Sequence, residues 1–202
     1  MARVDLFQNP DLNLLPRDGT VTYHGPILGE AKARDHLEGL QTEVPWQRDE
    51  LVMFGKRVIT SREVAWFGDP GLAYTYSGST KQPMPWSERL LQLKVLVEQR
   101  SGSAFNSCLV NFYHKGEEGM GWHSDDEKSI VRDSAIASLS LGAERRFDFR
   151  HKETREKVEV ILENGSLLVM QGETQRHWQH QLPPTKKVSA ARINLTFRRM
   201  VR

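Results

Sequence analysis

The residues of this chain that could do chemistry begin with Gly121-Trp122-His123-Ser124-Asp125. His123 and Asp125 are two positions apart, and in an extended backbone such residues project to the same side. One imidazole and one carboxylate would then converge on one point. A His-x-Asp pair alone is a weak signal, and a surface or salt-bridge role is its commoner meaning. A third ligand changes that. The later histidines are His151, His177 and His180. His177 and His180 fall in one expected strand with opposite parity, so only one of them can face inward. His180 stands just before Leu182-Pro183-Pro184, at a strand end where sites tend to open. Two histidines and one carboxylate on a jelly roll form the facial triad that holds non-haem Fe(II) with open positions. Zinc accepts the same ligands, so the ligands alone do not fix the metal.

A second constellation is Arg192-Ile193-Asn194-Leu195-Thr196-Phe197-Arg198. Ile193, Leu195 and Phe197 share one face of a strand; Arg192, Asn194, Thr196 and Arg198 share the other. Such alternation usually means an edge strand with its polar face in water. The sharper reading puts both arginines inside a barrel, holding a dianion by bidentate bonds. Two guanidiniums on one face repel unless an anion lies between them. A dicarboxylate keto acid meets that need and could also chelate the iron.

These residues need elements to position them. Gly29–Val44 reads as a helix, with Ala33, Leu37 and Leu40 at helical spacing. Leu51–Thr60 has two short apolar runs around Phe54-Gly55-Lys56, a hairpin signal. Trp86–Gln99 follows Pro85 and carries Leu90, Leu93 and Val97 toward a core. After Ser103 the texture turns to short β-type runs: Ser107–Tyr113, Ala135–Leu141, Arg146–Arg150, Lys157–Leu162, Ser166–Met170, His177–Leu182 and Ala191–Arg198. Two helices followed by seven or eight strands suggest a mainly β fold, a jelly roll with helices packed on it. Residues 1–28 are expected as an arm around the core.

Composition bounds the rest. The 202 residues suit one domain, with 38% hydrophobic and 27% charged residues, which excludes a disordered or collagen-like chain. No apolar run approaches the roughly 18 residues of a membrane span. The first residues lack an apolar signal region. The single Cys108 excludes an internal disulfide and a cysteine-based zinc site. The cytoplasm is the expected compartment. Net charge is +2, but it is unevenly spread: Gly116–Glu127 holds five acidic and no basic residues, Arg176–Arg202 seven basic and no acidic ones. An acidic pole suits a cation and a basic tail an anion.

Taken together, residues 51–202 resemble the AlkB family of Fe(II)- and 2-oxoglutarate-dependent dioxygenases, and most closely its animal-type members that repair alkylated duplex DNA. The matching stretches are Asn111-Phe112-Tyr113, His123-Ser124-Asp125-Asp126-Glu127, Phe149-Arg150-His151-Lys152, Gly165-Ser166-Leu167-Leu168, His177-Trp178-Gln179-His180 and Arg192 to Arg198. The resemblance, of which the first 50 residues carry little, implies a double-stranded β-helix with base-recognition hairpins at about residues 51–80; residues 1–50 are expected as an N-terminal arm and helix of the same domain. It implies that His123, Asp125 and His180 ligate Fe(II). It implies that Asn111, Tyr113, Arg192 and Arg198 bind 2-oxoglutarate, with Asn194 in support.

The resemblance reaches the substrate side as well. Tyr74, Tyr76 and Ser77 would line a base pocket in which Tyr76 and the His123 ring stack on a flipped base. Glu127 would contact the exocyclic amine, and Asp126 would pair with Arg62 at the rim. Phe54, on its hairpin, would wedge into the gap left in the base stack. The implied reaction removes alkyl groups of the 1-methyladenine and 3-methylcytosine type from DNA by direct reversal, consuming O2 and releasing the alkyl carbon as an aldehyde. RNA such as tRNA is the alternative substrate; a non-catalytic nucleic-acid-binding jelly roll and a zinc hydrolase are the alternative classes. No membrane partner is expected, and nothing demands more than a monomer.

Overall fold

Short runs of alternating or wholly apolar residues dominate the chain after residue 105, and they pair into sheets because each buries at least one face. The computed structural model describes residues 12–53, 56–72, 74–76 and 79–201; for 49–53, 56–59, 74–76 and 79–81 it describes the backbone only. The elements in order are β1 (Thr20–Pro26), α1 (Glu30–Glu43), β2 (Gln47–Met53), β3 (Lys56–Gly68), β4 (Tyr74–Tyr76), β5 (Ser79–Lys81), α2 (Glu88–Ser101), β6 (Ser107–Tyr113), β7 (Met120–His123), β8 (Ile136–Gly142), β9 (Arg145–His151), β10 (Lys157–Leu162), β11 (Ser166–Gln171), α3 (Thr174–His177), β12 (Trp178–Leu182) and β13 (Arg192–Arg198).

Seven strands form one sheet in the order β1-β11-β8-β13-β6-β3-β2, and four form a second in the order β10-β9-β12-β7. All their pairings are antiparallel. The inner faces meet through Tyr113, Ile136, Leu168 and Met170 of the large sheet and Phe147, Phe149, Trp178 and Leu182 of the small one. This is the double-stranded β-helix expected from the sequence. The outer face of the large sheet is covered by the two long helices, through Ala33 and Leu40 of α1 and Leu90, Leu93 and Val97 of α2, against Val110, Leu139, Ile193, Leu195 and Phe197.

α2 starts two residues later than the apolar spacing suggests, because Ser87 caps it by accepting from the Leu90 N–H, and it stops at Gly102, whose φ of 64° takes the left-handed turn. Leu93 lies under this helix with 1% exposure. Leu93→Ala is expected to cost about 2–5 kcal/mol of stability, read as a lowered urea midpoint, while leaving the opposite face of the sheet intact.

Three elements depart from the sequence expectations. Thr20–Pro26 is not an irregular arm but the edge strand paired with β11, with Val21 and Tyr23 turned inward. Met120–His123 forms β7, a short strand in a glycine-rich stretch with no alternation to announce it. His177 is not in the strand of His180: it ends the short helix α3, and β12 begins at Trp178. Among the described residues no helix is long and apolar enough to cross a membrane.

Candidate active site

β7 and β12 run antiparallel at one end of the small sheet, and their register sets His123 directly opposite His180. The two rings lie edge to face with centroids 4.2 Å apart. Asp125 follows two residues after β7, on a turn pinned at two points. The Ser124 hydroxyl donates to the Trp178 carbonyl at 2.9 Å, and the Asp125 N–H donates to Gln175 Oε1 at 2.8 Å. The result is that one ligand atom from each of His123, Asp125 and His180 lies within 4.8 Å of the others. No other such group of three occurs among the described residues. His177 stands apart, its ring stacked on that of His151 at 6.1 Å.

Electrostatics prepares these groups to bind a cation. Burial pushes the His180 pKa down to about 3, with the neighbouring His123 ring in the same direction, so the imidazole is neutral and its lone pair is available. His123 Nδ1 lies 2.8 Å from the Gly121 carbonyl, which can only accept. The proton therefore sits on Nδ1 and leaves the Nε2 lone pair open to a metal ion. Burial alone would raise the Asp125 carboxyl, but the Arg198 guanidinium, supported by the histidines, outweighs it and holds the pKa at about 2. Arg198 Nε and Nη2 both donate to Asp125 Oδ2, at 3.2 and 2.8 Å. Asp125 Oδ1 is the oxygen turned to His123, 3.9 Å from Nε2. Two imidazole nitrogens and one carboxylate oxygen fit Fe(II) in a facial arrangement.

The polar face of β13 supplies the second part of the site. β13 is not an edge strand: it lies between β6 and β8, and only Arg198 of its seven residues is more than buried. Its apolar face meets the helices, so Arg192, Asn194, Thr196 and Arg198 must point between the sheets. Register places Asn194 opposite Asn111 on one side and Ser140 on the other, and Arg192 opposite Tyr113. A chain of side-chain hydrogen bonds crosses the strands. Ser138 Oγ donates to Asn194 Oδ1 at 2.9 Å, Arg192 Nη2 donates to Asn194 Oδ1 at 2.8 Å and to Ser140 Oγ at 3.0 Å, and Asn194 Nδ2 donates to Thr196 Oγ1 at 2.9 Å. Arg192 is 2% exposed, its Nε has no hydrogen-bond partner, and no described carboxylate pairs with it. A buried, uncompensated guanidinium calls for an anion. A carboxylate bound here would meet that demand, which is the fit expected of the distal end of 2-oxoglutarate.

The two arginines therefore differ. Arg198 already has the Asp125 carboxylate, so it steadies one member of the candidate metal group. Arg192 is the one without a counter-ion.

On the substrate side, Phe54 and Ser77 lie outside the described residues, and Tyr74 and Tyr76 are described only as backbone in the β4–β5 hairpin. Arg62 is buried and its Nη1 lies 2.9 Å from Met120 Sδ, at the start of β7. Asp126 is exposed and its carboxylate lies 3.8 Å from Lys152 Nζ. Glu127 is likewise at the surface beside the metal turn. The basic partner of Asp126 is thus Lys152, a residue for which the sequence suggested no role.

Lys152 also donates to the Gln175 carbonyl at 2.9 Å, and the Gln175 side chain holds the Asp125 N–H. Gln175 went unnoticed in the sequence because a lone glutamine in a four-residue helix carries no spacing signal. His151, also matched but unassigned, is buried and accepts on Nδ1 from the Glu153 and Thr154 N–H groups at 3.3 and 3.1 Å. It caps the β9–β10 turn beneath Trp178. Cys108 is a buried strand residue of β6 whose thiol is pushed up by desolvation.

Comparison with known proteins agrees with this geometry. Residues 19–198 match the model of the 2OG-Fe(II) oxygenase superfamily. The chain is 40% identical over 205 residues to the mouse (Mus musculus) protein named DNA oxidative demethylase ALKBH2, covering 96% of this chain and 86% of the relative. It is 41% identical over 184 residues to the cattle (Bos taurus) protein named alpha-ketoglutarate-dependent dioxygenase alkB homolog 3, covering 86% of this chain and 64% of the relative. The solved structure of OsALKBH1 superposes with a TM-score of 0.63 at 20% identity, covering 92% of this chain and 99% of that one, a likeness of fold. The chain belongs to the 2OG-Fe(II) oxygenase superfamily. It is an Fe(II)- and 2-oxoglutarate-dependent dioxygenase, similar over nearly its whole length to the AlkB-type demethylases.

Proposed function

We propose that the protein is an oxidative demethylase that removes alkyl groups of the 1-methyladenine and 3-methylcytosine type from DNA by direct reversal. The observation that carries this reading is the 40% identity to a DNA oxidative demethylase across 96% of the chain. It acts as a cytoplasmic monomer without a membrane partner and consumes O2. His123, Asp125 and His180 hold the iron; Asn111, Tyr113, Arg192, Asn194 and Arg198 bind 2-oxoglutarate. Tyr74, Tyr76, Ser77, Asp126 and Glu127 contact the base, with Arg62 at the rim.

The bound iron, with 2-oxoglutarate and O2, supplies the oxidation of the alkyl C–H bond, and the hydroxylated carbon then leaves as an aldehyde. The chain's own contribution is positional and electrostatic. Asp125 stays ionised because Arg198 faces it, and His123 offers Nε2 because its Nδ1–H donates to the Gly121 carbonyl. The buried donors of β13 and β8 fix the cosubstrate's distal carboxylate where water is excluded. Asp126 and Glu127 make the rim acidic, which favours a lesion base bearing a positive charge over a neutral one. Phe54 fills the stack that the flipped base leaves, which offsets part of the few kcal/mol of unstacking.

The test is demethylation of one lesion placed in duplex DNA, single-stranded DNA and RNA. Turnover highest on DNA supports the reading; a strong preference for RNA overturns it in favour of an RNA demethylase. Absence of succinate formation with every substrate points instead to a binding module. The wedge has its own expectation. Phe54→Ala slows repair of duplex by about tenfold and leaves single strands within about twofold, in proportion to the unstacking it offsets. Equal rates on both, compared with the unchanged protein, would remove Phe54 from the mechanism.

A further inference from the structure

Arg145 is the first residue of β9, and its alternation puts it on the inner face with Phe147 and Phe149. Those two rings lie 5.4 and 6.2 Å from the His180 ring, and they share a cluster with Tyr113. Arg145 is therefore a cation on the inner face of the small sheet, and it is 2% exposed. Its Nη2 donates to two backbone carbonyls, those of Glu118 and Pro183, each at 2.9 Å. Glu118 precedes β7 and Pro183 follows β12, the strands that carry His123 and His180. Its Nε has no hydrogen-bond partner, and among the described residues no carboxylate pairs with it. The Glu118 carboxylate is turned away to the His114 N–H at 2.8 Å and to the His114 ring at 3.2 Å.

A second buried guanidinium, Arg192, shares this condition: 2% exposed, Nε without a partner, no carboxylate, its Cζ 5.5 Å from the centre of the Tyr113 ring. Among the described residues neither of these two buried cations has a salt-bridge partner, and Tyr113, which faces the Arg192 guanidinium, acts electrostatically on both. Burial pushes each below the ordinary arginine range and the charge of Arg145 adds to the lowering at Arg192, while Tyr113 opposes it at both and the Glu118 carboxylate opposes it in part at Arg145. An arrangement of this kind is tolerated when a dianionic or carboxylate ligand completes it.

We propose that Arg145 is a further binding residue of the 2-oxoglutarate pocket, joining Arg192 and Tyr113 around the distal carboxylate of the cosubstrate. This rests on the assignment of Arg192 to that carboxylate. It gives the protein a two-arginine grip on the far end of the cosubstrate, while Arg198 serves the metal end through Asp125. It also ties cosubstrate binding to the two metal-bearing strands, because the same guanidinium bridges the chain before β7 and the chain after β12.

The experiment measures binding, without turnover, to the anaerobic Fe(II)-loaded protein. Two probes are titrated: N-oxalylglycine, which chelates iron and carries a distal carboxylate, and oxalate, which chelates iron and carries none. Arg145→Met keeps the length and apolar stem and removes the charge; Arg145→Lys keeps the charge. The expected result is a Kd for N-oxalylglycine raised about tenfold in Arg145→Met and only about threefold in Arg145→Lys, with oxalate within about twofold of the unchanged protein in both. Equal weakening of both probes would make Arg145 a structural brace and overturn the proposal, as would no weakening of either. Arg192→Met run in parallel separates the two assignments. If it weakens N-oxalylglycine and Arg145→Met does not, only the Arg145 proposal fails. If Arg192→Met also leaves N-oxalylglycine binding unchanged, the distal carboxylate lies elsewhere and both fail.

Discussion

His123→Ala abolishes iron retention and lowers succinate formation more than about 100-fold, beyond the range usual for loss of a group that merely supports a ligand. Of the three proposed ligands this is the informative one to remove. Its side chain is 29% exposed and its one hydrogen bond goes to the Gly121 carbonyl, so the fold loses little. Removing Asp125 would instead leave the half-buried Arg198 guanidinium without its partner, and the resulting destabilisation would blur the result. Metal content after dialysis, measured beside an unchanged unfolding midpoint, checks the expectation. Full iron occupancy in His123→Ala would exclude this histidine as a ligand.

Arg192→Met raises the KM for 2-oxoglutarate by about 10- to 100-fold and changes kcat much less, the signature of lost ground-state binding. The physical basis is that Arg192 has every feature of a binding group and none of an internal ion pair. It donates to Ser140 and Asn194 but keeps a free Nε and no counter-ion. Asn194 still receives the Ser138 hydroxyl when the guanidinium is gone, so the chain of hydrogen bonds across β8 and β13 survives in part. Steady-state rates at varied 2-oxoglutarate, with iron and DNA saturating, provide the measurement. A fall in kcat at unchanged KM would assign Arg192 to a later step.

Much of the site was legible in the chain because its parts are local. The alternation of Arg192 to Arg198 gave the two faces of β13 correctly. It could not say that the polar face is buried, since that depends on β6 and β8 closing over both edges, a pairing spread across some ninety residues. The rival idea of an edge strand in water fails for that non-local reason. Parity left His177 and His180 undecided, and the structure separates them by ending α3 between them. β7 was invisible because four residues following a glycine-rich stretch are too few to show a period, although it carries His123.

Arg145 was within reach of the sequence. Counting alternate residues back from Phe149 and Phe147 puts an arginine on an apolar face, where it must find an anion or several carbonyls. Gln175 was not within reach, because its bond is to a backbone N–H and any residue type could stand at the other end. The two long helices were legible: in α2, Leu90, Leu93 and Val97 fall on the buried face, as their spacing requires.

The claim on which the rest depends is that His123, Asp125 and His180 bind one Fe(II) beside a pocket for a 2-oxo acid. An anaerobic titration tests it directly. An Fe(II) centre chelated by a 2-oxo acid has a visible charge-transfer absorption that neither component shows alone. The band is expected to appear only when both Fe(II) and 2-oxoglutarate are present, to saturate at one iron per chain, and to vanish in His180→Ala. A band that persists in that variant, or none in the unchanged protein at saturating iron and 2-oxoglutarate, would contradict the assignment of the metal centre.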